Sequence, residues 1–145
     1  MVSLGISQKP IVMPHYPHML TEDIGVWSKF LKGWGYKLKE VWYDVHVGSP
    51  ISTAEGPGTM VGRVAAGVSR KRIDCVARVG GGYWVVEVKP YASMLALGQA
   101  LSYSRLFVSQ YNPDGETIPV IVCDDYDKDL LDDFELSGVM VIQND

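Results

Sequence analysis

Three charged side chains stand close together in the apolar segment RIDCVARVGGGYWVVEVKP, residues 72–90. Asp74 lies in its first half, and Glu87 and Lys89 lie two residues apart near its end. The segment reads as two strands joined by a glycine turn. Because charged groups are costly to remove from water, a trio of this kind in a buried hairpin indicates either chemistry or a buried ion network.

A two-residue turn at 80–81 would determine which side chains of the hairpin face each other. It places Asp74 opposite Glu87, with Lys89 two residues further along the same face. Arg72 then stands opposite Lys89. The other face is predicted to be a core face that carries the apolar residues Ile73, Cys75, Ala77, Trp84, Val86 and Val88.

Two neighbouring carboxylates repel each other, and this repulsion raises the pKa of one of them. A divalent cation removes the repulsion, and hard oxygen ligands suit Mg²⁺ or Mn²⁺. In that interpretation Asp74 and Glu87 bind the metal, and Lys89 orients or deprotonates a water or stabilises developing charge on a phosphate. In the alternative interpretation Lys89 and Arg72 only neutralise the acids. The spacing leaves both interpretations open.

The helix predicted over 91–111 carries Gln99 and Tyr103 four residues apart on one face. In their order along the chain, Asp74, 87-EVK-89 and 99-QALSY-103 make the sequence resemble the PD-(D/E)XK nuclease superfamily. The likeness is closest to its RecB-like and Cas4-like exonuclease branch, and it covers about residues 70–110. Ile73 departs from the family pattern, which has proline before the first acid. The iron–sulfur version is excluded because no four-cysteine cluster is present.

The resemblance implies a restriction-endonuclease-like core and a role for each motif residue. Asp74 and Glu87 would be metal ligands, with the Val88 carbonyl as a third, and Lys89 would be the catalytic lysine. Glu22 on the first predicted helix would be a further metal-facing acid. The residues expected to contact the DNA backbone or to brace the site are Gln99, Tyr103, Arg70, Lys71, Arg72 and Arg105.

The resemblance therefore predicts a Mg²⁺-dependent or Mn²⁺-dependent deoxyribonuclease that hydrolyses phosphodiester bonds. With 145 residues the chain leaves little room for a target-recognition domain, so cutting is expected to follow DNA structure or ends. A fold does not determine a function. The alternative is a phage head-completion, neck or other assembly protein on the same fold, with or without residual nuclease activity.

Hydrophobic spacing along the rest of the chain predicts a single α/β or α+β domain over residues 1–145, with a central mixed sheet flanked by helices. Thr21 is predicted as the N-cap of the first helix. The other predicted elements are a strand at 36–47, a loop at 48–58, an extended segment at 59–68, a strand at 118–123, a short helix at 127–136 and a strand at 139–143.

Composition bounds the class of protein. Hydrophobic residues make up 47% of the chain and charged residues 21%, which is ordinary for a globular domain. No apolar run is long enough for a membrane span, and no signal peptide is predicted. Cys75 and Cys123 lie in strand-like runs and are expected to be reduced, which favours the cytoplasm, or a virion if the assembly alternative holds. His15 and His18 stand in a proline-spaced loop with no nearby carboxylate or cysteine, so they are not expected to bind a metal.

Charge is unevenly distributed along the chain, although the net charge is only −4. Residues 62–110 hold seven of the 13 Lys and Arg but two acids, whereas 111–145 hold one lysine and ten acids. The basic middle part contains the hairpin and favours a DNA partner. The acidic region favours a protein partner or a second copy of the chain.

Overall fold

A computed structural model describes residues 1–49, 58–60 and 70–145. Most of the loop predicted at 48–58 and of the extended segment predicted at 59–68 lies outside the described residues. The described elements are helix α1 (Thr21–Trp34), a 3-10 turn (Gly35–Lys37), strands β1 (Glu40–Val47), β2 (Lys71–Val79) and β3 (Gly82–Ala92), helix α2 (Met94–Tyr111), strand β4 (Thr117–Tyr126), a 3-10 turn (Lys128–Leu130), helix α3 (Leu131–Leu136) and strand β5 (Met140–Gln143).

The described part of the chain is an α+β fold built on one mixed sheet, as the sequence predicted. Its strands lie in the order β1-β2-β3-β4-β5. Strand β2 is antiparallel to both β1 and β3, whereas β3, β4 and β5 run parallel to one another. Helix α1 packs on one sheet face, and α2 and α3 pack on the other. The segment that positions the candidate site is β2-β3-α2.

Helix α1 forms because its apolar residues recur at helical spacing and bury one stripe. The buried residues of the stripe are Asp23, Val26, Trp27, Phe30 and Leu31. The predicted cap was one residue late: the helix begins at Thr21, and Leu20 occupies the N-cap position without a side-chain hydrogen bond. The strand predicted at 36–47 is shorter, because Gly35–Lys37 form a 3-10 turn and β1 begins at Glu40.

The β2–β3 hairpin has the predicted turn. Val79 pairs with Gly82, and the same register continues to Cys75 opposite Val86. Gly80 has a φ of 58°, in the left-handed region that glycine enters without strain. Gly82 must also lack a side chain, because a Cβ there would lie 2.6 Å from the Glu116 carbonyl oxygen. Turn residues therefore fix the register.

The prediction that Ile73 shares a face with Cys75 and Ala77 was wrong. Cys75 and Ala77 pack on the α1 side of the sheet, whereas Ile73 packs with Val76 on the α2 side. Strand β1 switches face at the same level: Val41 lies on the α1 side and Val45 and Val47 on the α2 side. Asp44, between them, has a φ of 53°, which breaks the alternation of the strand.

Candidate active site

A pocket of about 680 Å³ opens where β2 separates from β3. The last backbone pair between these strands is Cys75 with Val86, and β3 continues to Ala92. The pocket is therefore bounded by the diverging strands, the start of α1 and one face of α2. It is lined by His18, Met19, Leu20, Asp23, Arg70, Lys71, Arg72, Asp74, Glu87, Lys89, Gln99 and Tyr103.

The Asp74 carboxylate replaces the backbone group of β2 that would otherwise pair with β3 at this point. Its Oδ2 accepts a hydrogen bond from the Val88 N–H at 2.8 Å. Burial raises the pKa of Asp74, while this hydrogen bond, one with Glu87 and the charge of Lys89 oppose the increase. The carboxylate is thus fixed to β3 beside Glu87, as the predicted register requires.

Glu87 is the most buried acid of the pocket, with 2% of its surface exposed. Burial raises the pKa of its carboxyl well above the usual range, and the neighbouring Asp74 charge raises it further. Within the described residues, Glu87 Oε1 is buried without a hydrogen-bond partner. A proton or a cation at this oxygen would relieve that unfavourable environment.

Lys89 is half-buried beside both acids. Its charge lowers the pKa of Asp74, Glu87 and Asp23. Among the described residues, however, it forms no ion pair with a carboxylate. The amine is therefore close enough to act on the acids electrostatically but is not held in a direct salt bridge, which disfavours the simple ion-network interpretation.

The acid that α1 contributes to the pocket is Asp23, not the predicted Glu22. Asp23 is 9% exposed and lines the pocket, whereas Glu22 is exposed and does not. Burial raises the pKa of Asp23, and the Asp74 charge adds to the increase. The sequence held the information: Asp23 precedes Val26, Trp27 and Phe30 by three, four and seven residues, and so shares their face.

Gln99 and Tyr103 on α2 both reach the pocket, as their spacing predicted. Burial raises the pKa of Tyr103, the Glu87 charge adds to it, and a hydrogen bond with Gln99 lowers it. Among described residues, Gln99 Oε1 is buried without a hydrogen-bond partner. Two unpartnered buried oxygens, one from Gln99 and one from Glu87, therefore line the same pocket.

Three of the four predicted basic residues line the pocket. Arg70, Lys71 and Arg72 do so, whereas Arg105 is exposed on α2 and does not. Arg70 Nε donates to the Gly48 carbonyl oxygen at 3.2 Å. This cluster gives the mouth of the pocket a positive side that faces its acidic floor.

Arg72 lines the pocket and also contacts Asp44 and His18. Its Nε lies 3.6 Å from Asp44 Oδ1, and its Nη1 lies 2.9 Å from His18 Nε2. Both partners have positive φ, 53° for Asp44 and 63° for His18. Sequence reasoning missed His18 as a pocket residue, and it missed Asp44 because nothing in the alternation of β1 marks the change of face.

A metal centre is not preformed in the part of the chain that the structure describes. Among those residues, no group of three or more His, Cys, Asp or Glu side chains is arranged to hold a metal ion. Asp74 and Glu87, with a raised pKa each, are the pair that a cation would stabilise.

The described helices include none long and apolar enough to cross a membrane.

Comparisons with protein-family models, with curated proteins and with solved structures found no match to the chain. The likeness to PD-(D/E)XK nucleases therefore rests on the motif residues and their order, and the family remains a prediction.

Proposed function

We propose that this protein is a metal-dependent nuclease of the PD-(D/E)XK type that hydrolyses phosphodiester bonds in DNA. The observation that carries the proposal is the convergence of Asp74, Glu87 and Lys89 in one pocket, with no ion pair at the lysine among described residues. A structural ion network would be expected to join the lysine to the acids directly. A catalytic lysine needs its amine available to the substrate.

The donor set fits a small divalent cation. Asp74 and Glu87 supply carboxylate oxygens, and the raised pKa of Glu87 reflects its burial and the neighbouring negative charge of Asp74. Glu87 Oε1 has no partner among described residues, so it is open to a cation. Mg²⁺ or Mn²⁺ prefers such oxygens, and when bound it supplies Lewis-acid activation of a water and neutralisation of phosphate charge.

The side chains of the chain have separate roles in this proposal. Lys89 donates to the attacking water or to the phosphate oxygens, where negative charge increases in the transition state. Gln99 and Tyr103, which both line the pocket, brace the α2 wall. Asp23 adds a third acid at the α1 wall.

Arg70 and Lys71 are suited to bind phosphates next to the scissile bond. Phosphate contacts position a nucleic acid but carry no base sequence. The pocket wall that they form contains cations rather than the amide and carboxylate pairs that read base edges. The proposed substrate preference is therefore for DNA structure or ends, not for a base sequence.

Cleavage of labelled linear, nicked and branched DNA, with Mg²⁺, Mn²⁺ or EDTA, tests the proposal. We expect cutting with either metal and none in EDTA. Asp74→Asn and Glu87→Gln should abolish it, because each removes a ligand charge at nearly constant volume. Asp132→Asn is the matched control, since Asp132 is exposed and does not line the pocket. A parent that never cuts, or a Glu87→Gln variant that cuts as well as the parent, contradicts the proposal.

The second candidate is an assembly protein, and one observation favours it. Helix α2 exposes apolar side chains at seven-residue spacing, which places them on one face: Met94 is 72% exposed, Leu101 36% and Val108 45%. Apolar side chains on one exposed helix face are common at protein interfaces. This candidate predicts a stable complex with a protein partner or a second copy, and a parent that does not cut DNA. Size-exclusion chromatography with light scattering, beside the cleavage assay, separates the two candidates.

A further inference from the structure

The segment 29-KFLKGWGYKLK-39, which ends α1, combines positive charge with exposed aromatic rings. It holds four lysines and no acid, although residues 1–61 as a whole are neutral. Tyr36 is 81% exposed and Trp34 39%. We refer to residues 29–39 as the aromatic–lysine segment. Neither its charge nor its exposed rings are used by the candidate active site.

The fold holds the Trp34 ring in place and positions a lysine beside both rings. The Trp34 ring stacks on buried Phe30 at an interplanar angle of 12°. Leu38, 5% exposed, anchors the other side of the 3-10 turn in the core. Lys37 Nζ lies 4.9 Å from the Trp34 ring centroid and 6.0 Å from that of Tyr36. The amine is thus held between two aromatic surfaces, at positions already ordered before any ligand arrives.

A groove of about 500 Å³ adjoins the segment. Lys29, Lys32 and Trp34 form one side, and the chain at 143–145 forms the other. Asp145 is an acid in this groove, and Lys29 pairs with Asp124 at 3.7 Å. Lys32 and Lys37 are exposed and, within the described residues, form no ion pair. No acid of the described chain therefore neutralises their charges, which can attract an anionic ligand.

We propose that the aromatic–lysine segment binds single-stranded nucleic acid. Exposed rings stack on bases, and lysines between them neutralise the backbone, which is the combination that sequence-tolerant single-strand binding uses. Duplex DNA is a poorer fit because its bases are stacked on each other and do not offer their faces. In this assignment Tyr36 stacks on a base, Trp34 supplies a second ring, and Lys32 and Lys37 bind phosphates.

This surface is separate from the candidate active site. The active-site pocket is lined by Leu20 and Asp23 at the start of α1, whereas Trp34 is the last residue of the helix. A helix of 14 residues is roughly 20 Å long at about 1.5 Å per residue. Binding at the segment does not need metal, so it is measured in EDTA, where its outcome does not depend on nuclease activity.

The experiment is fluorescence anisotropy of a labelled oligothymidylate and of a labelled duplex of equal length, in EDTA at several salt concentrations. We expect the single strand to bind more tightly than the duplex. Tyr36→Ala should weaken single-strand binding about tenfold, since one base–aromatic stack contributes that much. The double variant Lys32→Gln, Lys37→Gln should lower the slope of log K against log salt by about 0.7 for each phosphate that the variant no longer neutralises.

Matched controls keep the result specific to this surface. Tyr91→Ala removes another exposed tyrosine, 53% exposed, whose neighbours Asp125 and Asp127 make its surroundings acidic. Lys128→Gln removes an exposed lysine outside the segment. Both controls should bind as the parent does. Equal single-strand binding by the parent and Tyr36→Ala, an equal loss of single-strand and duplex binding in Tyr36→Ala, or no single-strand binding at low salt would each overturn the proposal.

Discussion

Glu87 is in an environment that folding alone does not favour. A carboxyl that is 2% exposed beside another acid would be replaced by an apolar residue if only stability mattered. Its neighbours in β3, Val85, Val86 and Val88, are all buried and apolar, so the position itself could accept such a residue. A buried acid at this place is therefore better explained by what it binds than by what it contributes to stability.

The first prediction concerns the pH dependence of stability for Glu87→Gln in EDTA. Because the folded pKa of Glu87 is raised, the folded state keeps a proton that the unfolded state releases above about 4.5. Stability of the parent should fall as pH rises through that window. The amide cannot ionise, so Tm of Glu87→Gln should exceed that of the parent at pH 8, and the gap should narrow toward pH 5. A gap that widens toward acid contradicts the pKa assignment.

The second prediction separates the catalytic role of Lys89 from a structural one. Lys89→Met keeps the aliphatic stem and removes the charge. Single-turnover cleavage should slow by about 10²–10³, as for loss of one electrostatic donor. Stability in EDTA should change by less than about 1 kcal/mol, because no ion pair joins Lys89 to a described carboxylate.

Lys89→Arg is the matched control for charge. It should bind DNA as the parent does but recover cleavage only in part, since a guanidinium does not place its donors as an amine does. If the parent does not cut DNA and Lys89→Met lowers the free energy of unfolding by several kcal/mol, the structural role is supported instead.

At the scale of the elements, local sequence rules predicted the β2–β3 hairpin but did not predict the change of face at Asp44 and Ile73. The glycine turn and the period of two fix the β2–β3 register, so Asp74, Glu87 and Lys89 could be grouped from sequence. The change of face at Asp44 and Ile73 could not, because it depends on a left-handed backbone at a non-glycine residue. Helix α1 lay between these cases. Its position beside the pocket depends on tertiary packing, but which of its residues face inward could be predicted from their spacing.

The third prediction tests that inward face with two neighbouring acids. Asp23→Asn should reduce cleavage by about 10- to 100-fold, as loss of an outer-shell acid typically does. In EDTA it should also raise Tm, because burial and Asp74 make the ionised form unfavourable there. Glu22→Gln is the control one residue away, because Glu22 is exposed and lies outside the pocket. It should leave cleavage unchanged and alter the free energy of unfolding by no more than about 0.5 kcal/mol. If Glu22→Gln reduced cleavage and Asp23→Asn did not, Glu22 rather than Asp23 would be the acid that α1 contributes to the site.

At the scale of the whole molecule, charge is sorted more clearly in space than the net value of −4 suggests. Arg70, Lys71 and Arg72 gather at one pocket mouth. The acids at 124–135 lie along the end of β4, the following turn and α3. A polyanion would therefore be attracted to the basic cluster at the pocket mouth. The sequence predicted the basic cluster but wrongly included Arg105, because charge along a sequence does not show which residues share a surface.

The last prediction measures that cluster through the salt dependence of duplex binding in EDTA. Each phosphate contact contributes a slope of about −0.9 in log K against log salt for duplex DNA. Arg70→Gln and Lys71→Gln should each reduce the slope by about that amount and weaken binding at low salt. Arg105→Gln removes an equal charge from the exposed side of α2, outside the pocket, and should leave the slope unchanged. If Arg105→Gln lowered the slope as much as Arg70→Gln, DNA would be bound by overall charge rather than at the pocket, and the proposed substrate position would be wrong.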